Sequence, residues 1–195
     1  MIIDHGKHKV MLKLVYFGPA MSGKTTSIKY IFQKYQNNKE LKSIETGAGR
    51  TLFFDYGDLI ITNKNGWDII INVWTCTGQD FYAETRPTVL NGADGIIFVA
   101  DSQCSLKNQN QESWNELTRL LGKSITKIPI VICLNKYDLI ETTDLITAPE
   151  IFKLLKPNND VDIFKTRATE GTNLNESFIT LLRKVTNIKT KIAAY

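Results

Sequence analysis

The sequence predicts an α/β fold of three layers, in which helices cover both faces of a mostly parallel sheet. Apolar runs alternate along the 195 residues with segments of helical periodicity. That alternation is typical of strands that run in one direction and are joined by helices. It is interrupted once, where Asn65-Gly66 separates two apolar runs. Because this dipeptide is the most typical signal of a tight hairpin, we expect one antiparallel hairpin strand in the sheet.

Six strands are expected in total. Four runs outside the hairpin are predicted to be strands. They are "KVMLKLVYF" (9–17), "DGIIFVAD" (94–101), "IPIVICLN" (128–135) and "VDIFKT" (161–166). The hairpin within 51–74 supplies the other two strands. The polar, glycine-containing segment 36–50 and the segment 76–92 are predicted to be loops.

About five helices are expected between and after the strands. The first begins at about Lys24, and a later one is preceded by Thr147 and Glu150, which predict a capping box. The last helix carries an apolar stripe formed by Leu174, Phe178, Leu181, Val185, Ile188 and Ile192. Such a stripe favours core packing, with a membrane-surface helix as the alternative. The length suits a single domain spanning 1–195.

The composition is that of an ordinary globular protein, with 43% hydrophobic and 23% charged residues. The net charge of +4 is spread along the chain, so we expect no nucleic-acid partner. The three cysteines have no metal-binding spacing, which favours reduced thiols in a cytoplasmic protein. No apolar run is long enough to cross a bilayer and no lipidation motif is present, so no membrane anchor is expected.

A phosphate-binding loop is predicted at "GPAMSGKT", residues 18–25, between a strand and a helix. Main-chain N–H groups of such a loop and of the helix N-terminus favour an anion. Lys24 adds a positive charge over the outer phosphates, and the Thr25 hydroxyl is a predicted magnesium ligand. The predicted nucleotide contacts in this region are Gly18, Ala20, Met21, Ser22, Gly23, Lys24, Thr25 and Thr26. Side chains at Ala20 and Met21 could crowd a catalytic group without preventing binding.

A base-binding motif is predicted at "NKYD", where Asn135, Lys136 and Asp138 follow an apolar strand. The carboxylate of Asp138 can accept from both N1–H and the 2-amino group of guanine, whereas adenine presents an acceptor at N1. The stem of Lys136 can lie along the base, and Asn135 can connect this loop to the phosphate loop. In "RATEG" (167–171) the N–H of Ala168, next to Thr169, could meet guanine O6. An ordinary strand–helix loop remains an equal alternative for that segment.

These three elements, in this order, resemble the Ras-like small GTPases over nearly the whole chain. "RTLFFDY" (50–56), "TCTGQDFY" (75–82), "FVADS" (98–102) and "ATEG" (168–171) resemble the MglA branch of polarity GTPases. In that branch threonine, here Thr75, replaces the aspartate that usually ends the third strand of the fold. The resemblance therefore implies a Ras-like G domain of the P-loop NTPase class that uses GTP or GDP with Mg²⁺.

Further roles are implied by the resemblance alone. It implies that Thr51 reaches the magnesium ion, that Arg50 is an arginine finger supplied within the chain, and that Gln79 beside Gly78 orients the attacking water. It also implies a roadblock-domain, MglB-like regulator. This regulator acts on two switch loops, one that carries Arg50 and Thr51 and one that carries Gly78 and Gln79. Asp55 could replace the missing carboxylate near magnesium or face solvent, and the sequence leaves both open.

These residues are compatible with two different functions. A molecular switch that hydrolyses GTP is favoured by Arg50 and Gln79. A nucleotide-binding scaffold with negligible hydrolysis is the alternative, and it is favoured by Ala20, Met21 and Thr75. In either case we expect a monomer in isolation that reaches a membrane only peripherally, through partners. The sequence does not identify an effector.

Overall fold

The computed structural model describes residues 1–35, 42–45, 51–62, 66–76, 84–157 and 161–193. Within these ranges eight strands and five helices are formed. The strands are β1 Ile2–Asp4, β2 Lys9–Phe17, β3 Lys42–Glu45, β4 Thr51–Thr62, β5 Asp68–Thr75, β6 Gly95–Asp101, β7 Ile130–Asn135 and β8 Asp162–Lys165. The helices are α1 Lys24–Tyr35, α2 Arg86–Leu90, α3 Lys107–Leu121, α4 Ala148–Leu155 and α5 Leu174–Ala193.

The strands form one mixed sheet in the order β3-β4-β5-β2-β6-β7-β8, and β1 pairs with the start of β2. Strand β2 is parallel to both β5 and β6, and β6, β7 and β8 continue in parallel. Strands β4 and β5 are antiparallel, from Thr62 opposite Asp68 to Tyr56 opposite Trp74. The predicted α/β class and the hairpin are confirmed, and Asn65 itself lies outside the described residues.

The described sheet has two strands more than the six that the sequence predicts. Strand β3 lies in the segment predicted to be a loop, and it pairs antiparallel with β4. Strand β1 is antiparallel to β2. Helix α2 also corrects the prediction of a loop over 76–92. These elements have three to five residues each, too few for an apolar period to be visible in the sequence.

The central strands contribute buried side chains to both faces of the sheet. In β2, Leu12, Leu14 and Tyr16 pack on the side of α1 and α5, whereas Val15 and Phe17 pack on the opposite side. This alternation explains why β2 is a nearly continuous apolar run, because both faces are covered by helices.

The helices place their apolar stripes against these two faces. Trp114 and Leu117 of α3 are buried beneath one face, where the Trp114 ring meets Phe98 edge-on at 5.1 Å. On the other face, Leu174, Phe178, Leu181 and Val185 of α5 are all buried. The described part of the α5 stripe therefore packs in the core, which confirms the favoured interpretation. No helix in the described ranges is long and apolar enough to cross a membrane.

Helix α4 begins with the predicted capping box. The N–H of Glu150 donates to the hydroxyl of Thr147, and the N–H of Thr147 donates to the Glu150 carboxylate at 2.8 Å. The hydrogen bond from the Thr147 main chain is the largest cause that lowers the pKa of Glu150, followed by the one from the Thr147 side chain. Each cap group satisfies an N–H that has no partner inside the helix.

Candidate nucleotide-binding site

The predicted phosphate and base residues lie at the carboxyl ends of the parallel strands. The loop 18–23 follows β2, Asp101 ends β6, Asn135 ends β7, and Thr166 follows β8. Since β2, β6, β7 and β8 are neighbours in this order, their carboxyl ends form one edge of the sheet. Ligands of open α/β sheets bind at this edge.

Close packing fixes the two ends of the phosphate loop. A Cβ on Gly18 would lie 2.2 Å from the carbonyl oxygen of Val99. A Cβ on Gly23 would lie 2.2 Å from the Nδ2 atom of Asn135, and Gly23 also has a φ of +100°, which a side chain rarely tolerates. The loop is therefore held directly against β6 and against the end of β7.

Lys24 lies over the loop that precedes it. Its side chain is buried, and its ammonium group donates to the carbonyl oxygens of Gly18 at 2.8 Å and Pro19 at 2.6 Å. The N–H of Ser27 reaches the carbonyl of Gly23 at 2.9 Å, so helical bonding begins immediately after the loop. This arrangement joins a fixed cation to a helix N-terminus, the two features that favour a phosphate.

The remaining residues of the loop differ in exposure. Ser22 is fully buried, and its hydroxyl has no hydrogen-bond partner among the described residues. Met21 has a left-handed main chain with a φ of 61°, and its side chain is 65% exposed. Ala20 and Thr26 are exposed and Thr25 is half-buried. The side chains of Met21 and Ala20 therefore lie on the outer surface of the loop.

Asn135 connects three loops through its side-chain amide. Its Nδ2 donates to the carbonyl of Ser22 at 2.8 Å. Its Oδ1 accepts from the N–H of Ala168 at 3.0 Å and from the hydroxyl of Thr166 at 3.2 Å. The predicted connection from Asn135 to the phosphate loop is present, and the contribution of Thr166 is one that the sequence analysis missed.

The segment after β8 is held by Asn135. The N–H of Ala168 donates to Oδ1 of Asn135, and its expected contact with guanine O6 stays a prediction. The next residue, Thr169, is exposed, and no acceptor for its N–H is found in the part of the chain that the structure describes. The N–H of Thr169 is therefore a second donor available at this position.

Helix α1 also contacts this segment. Gly171 is buried, and a Cβ on it would lie 2.0 Å from the ring of Tyr30. The ring of Tyr30 thus lies directly against the main chain of the segment that carries Ala168 and Thr169.

Lys136 and Asp138 are held differently from Asn135. Lys136 has a left-handed main chain with a φ of 66°, and its ammonium lies 2.6 Å from Oδ2 of the buried Asp101. Asp138 lies in a short 3-10 helix over Tyr137–Glu141, which is connected to β8 because the N–H of Tyr137 donates to Thr166. The carboxylate of Asp138 is exposed at the edge of the site.

Strand β5 ends beside the phosphate loop without a carboxylate. Thr75 is buried opposite Tyr16, and the N–H of Cys76 donates to the carbonyl of Tyr16 at 3.0 Å. Burial raises the pKa of the Cys76 thiol to about 12, so this thiol is neutral at physiological pH. This end of β5 is therefore uncharged.

The side chains of the predicted switch residues lie outside the part of the chain that the structure describes. Arg50, Gly78 and Gln79 lie outside them, and Thr51 is the first residue of β4, where only the main chain is described. The side chain of Asp55 is likewise outside them. Their predicted roles stay predictions.

The sheet, the loop after β2 and the helix that follows it define a phosphate-loop protein of the α/β class.

Comparison with known proteins gives the family. The sequence model of the Ras family matches residues 13–187, so the chain belongs to the Ras family. It is 37% identical over 162 residues to the mutual gliding-motility protein MglA of Myxococcus xanthus, which covers 80% of this chain and 82% of that protein. The resemblance to the MglA branch is thereby confirmed.

More distant relatives cover an even larger part of the chain. The Ypt/Rab-type GTPase ypt7 of Schizosaccharomyces pombe is 23% identical over 180 residues, which is 91% of this chain and 83% of that protein. The Ras-related protein Rab-4A of Bos taurus is 25% identical over 178 residues, or 91% of this chain and 75% of that protein.

Proposed function

We propose that this chain, as one domain over 1–195, is a small GTPase switch that binds GTP or GDP with Mg²⁺ and hydrolyses GTP to GDP and phosphate. The observation that carries the proposal is the set of hydrogen bonds made by Asn135. They join the phosphate loop at Ser22 to the segment at Ala168, so the residues that we assign to the phosphates and to the base are bonded to one another. Membership of the Ras family supports the same assignment.

The phosphate half of the site uses Lys24 and the N-terminus of α1. In the structure the ammonium of Lys24 is satisfied by two loop carbonyls. A polyphosphate offers it charged acceptors instead, and hydrogen bonds to charged groups are stronger than those to carbonyls. Ser22, whose buried hydroxyl has no described partner, lies within the same loop.

The base half of the site selects guanine through Asp138, with Lys136 along the base and the N–H groups of Ala168 and Thr169 on the side of O6. The exposed carboxylate of Asp138 can accept from two adjacent donors, and the N–H of Thr169 can donate to one acceptor. Guanine presents this pattern, with N1–H and the 2-amino group as donors and O6 as acceptor. Adenine presents a donor where guanine has O6, so both contacts would be lost.

The residues present fit a magnesium ion bound through the nucleotide. Mg²⁺ prefers oxygen ligands and usually keeps several water molecules while it contacts phosphates. The hydroxyl of Thr25, next to Lys24, is a suitable protein ligand, and Thr51 is the second one that we propose. No group of three or more His, Cys, Asp or Glu side chains that could hold a metal is found among the described residues. When bound, Mg²⁺ neutralises charge that develops on the phosphate oxygens.

Hydrolysis requires positioning and charge stabilisation. A water oxygen attacks the γ-phosphorus, the bond from that phosphorus to the β–γ bridging oxygen breaks, and the proton of the water is released with the phosphate. We assign orientation of the water to Gln79, beside Gly78, and stabilisation of the leaving charge to Arg50. An arginine in this role accelerates phosphoryl transfer by about 10³–10⁵. The sequence predicts both residues in loops, so a roadblock-domain regulator that fixes these predicted loops would raise turnover, and loop rearrangement on hydrolysis would carry the signal.

A binding scaffold without hydrolysis is the second candidate. The observation that favours it is the uncharged end of β5, where Thr75 and Cys76 are buried and neither supplies a carboxylate to hold the water shell of magnesium. In this case the protein would bind both nucleotides and leave GTP intact.

Nucleotide binding and single-turnover hydrolysis separate these outcomes. Fluorescent methylanthraniloyl (mant) GDP and mant-ADP are titrated into the purified protein with Mg²⁺. GTP hydrolysis is then followed for the wild type and for Gln79→Leu, each with and without candidate roadblock-domain proteins. We expect the protein to bind mant-GDP but not mant-ADP. We expect the wild type to hydrolyse GTP and the Gln79→Leu variant to have lost this activity. Preference for mant-ADP, or no binding, would contradict the proposal. Equal and negligible hydrolysis by both proteins under all conditions would favour the scaffold.

A further inference from the structure

We propose that Asp101 is a positioning residue for nucleotide retention, which acts by holding Lys136 across the base site. The proposal rests on the proposed function, because it assigns a cause to slow nucleotide release from that site. It concerns a residue at the end of β6 that belongs to neither of the two predicted binding motifs.

The sheet register explains why Asp101 and Lys136 meet. Strands β6 and β7 are parallel neighbours in which Asp101 lies opposite Asn135, the last residue of β7. Lys136 is the next residue along the chain. Its ammonium returns across the gap between the two strand ends to lie 2.6 Å from Oδ2 of Asp101. The N–H of Ser102 donates to the carbonyl of Asn135 at 2.9 Å, so the main chains of the two strand ends are also bonded.

Asp101 is fixed on every side that the structure describes. Its carboxylate is fully buried, and Oδ1 accepts from the main-chain N–H and from the side-chain amide of Gln103, both at 3.1 Å. The amide of Asn110 on α3 brackets its main chain, because it accepts from the N–H of Asp101 at 2.9 Å and donates to its carbonyl at 2.8 Å. The carboxylate therefore presents Oδ2 to the ammonium of Lys136 in one orientation.

Lys136 supplies the positive charge for this carboxylate. No hydrogen bond of good geometry reaches Oδ2 from the described residues, and the nearby ammonium balances its charge at 2.6 Å. An unpaired buried carboxylate is strongly unfavourable. The pair is therefore expected to persist both with and without nucleotide.

The pair also constrains the shape of Lys136. The residue has a left-handed main chain with a φ of 66° and a ψ of 31°, which is unfavourable for a residue with a side chain. With the main chain fixed in this shape and the ammonium fixed on Asp101, the aliphatic stem between them is held across the ends of β6 and β7. A base that binds at Asp138 is then covered by a stem that is already ordered, so little freedom is lost on binding.

Release of mant-GDP tests this inference. Asp101→Asn keeps the shape of the side chain and removes its charge, and Lys136→Met keeps most of the stem and removes the ammonium. Asp162→Asn is the matched control, because it removes a carboxylate from an ion pair with Lys184 at 2.9 Å, at the start of β8 and away from the site. Dissociation is started with excess unlabelled GDP. Thermal unfolding of each variant with bound GDP reports whether the fold is intact.

We expect Asp101→Asn and Lys136→Met each to raise the dissociation rate by roughly tenfold, as for the loss of one charged contact. The double variant should release mant-GDP no faster than the faster single variant, because both changes remove one interaction. Asp162→Asn should release it at the wild-type rate, and the preference for guanine over adenine nucleotides should be unchanged in all variants.

The results separate this inference from the proposed function. If the wild type binds mant-GDP and Asp101→Asn releases it at the wild-type rate, the inference is wrong and the proposed function stands. Additive effects in the double variant would also contradict it. If Asp101→Asn does not fold, Lys136→Met decides, since an unchanged rate in that variant shows that the stem needs no charge partner. Failure of the wild type to bind mant-GDP would instead contradict the proposed function.

Discussion

Replacement of Asp138 by asparagine should transfer the base preference from guanine to xanthine. The carboxylate of Asp138 is exposed at the edge of the site, where it can accept from the two adjacent guanine donors. Asparagine keeps one acceptor but places an N–H₂ group opposite the 2-amino group of guanine. Xanthine has a carbonyl at that carbon, so the asparagine side chain can accept from N1–H and donate to the carbonyl.

The size of the effect follows from the number and type of bonds exchanged. Two hydrogen bonds to a charged group are lost for guanine, each worth about 1.5–3 kcal/mol. Because Asp138 is exposed, the lower value is appropriate, which gives about 3 kcal/mol or roughly a hundredfold weaker binding of GDP. Xanthosine diphosphate should gain affinity, since its carbonyl no longer faces a carboxylate.

Competition against mant-GDP with Mg²⁺ measures both effects in the wild type and in Asp138→Asn. Asp144→Asn is a matched control, because Asp144 is an exposed carboxylate a few residues later in the chain. It should leave both affinities unchanged. The reasoning is wrong if Asp138→Asn binds GDP as tightly as the wild type, or if xanthosine diphosphate competes no better against it than against the wild type.

Three further outcomes are expected. Gly23→Ala should weaken mant-GDP binding by more than tenfold and lower the free energy of unfolding by about 1–3 kcal/mol, because its Cβ would lie 2.2 Å from the amide of Asn135. Titration measures the binding and thermal unfolding measures the stability. Wild-type values in both measurements would contradict this expectation. Burial raises the pKa of the Cys133 thiol to about 12, so Cys133 should resist iodoacetamide at pH 8 until the protein is unfolded. Since its folded pKa exceeds the unfolded one, this thiol should also reduce stability as pH rises above about 8.5. Glu150→Gln should lower the melting temperature, followed by circular dichroism, by more at pH 7 than at pH 3. The hydrogen bonds from Thr147 lower the pKa of Glu150, and a contribution of this sign is lost as pH falls through the folded pKa. Equal differences at both pH values would contradict this expectation.

The sequence predicted the long elements and the two binding motifs because each has a strong local cause. Strand β2 is apolar on both faces because α1 and α5 cover one of them and α3 covers the other. Asn135 and Gly23 belong to two short motifs that are recognised by their spacing and by the strands that precede them. The contact between these two residues at the carboxyl edge then follows from the parallel strand order.

What the sequence could not provide are contacts between distant segments. The pairing of Asp101 with Lys136 depends on the register of β6 against β7, which no local pattern specifies. The use of the Ala168 N–H by Asn135 depends in the same way on how β8 ends beside β7. An aspartate directly after a fully apolar run was the available signal for Asp101, because a charge at that point must lie at the carboxyl edge.

The contact between Tyr30 and Gly171 constrains the order in which mutations at these two positions can accumulate. A Cβ at position 171 would overlap the tyrosine ring at 2.0 Å, and the main chain there has a φ of +80°, so a side chain at 171 requires both a shift of the ring and a strained main chain. A smaller residue at position 30 is tolerated first, although it leaves a gap beside the glycine. Lineages that carry a side chain at position 171 should therefore already have lost the aromatic ring at position 30.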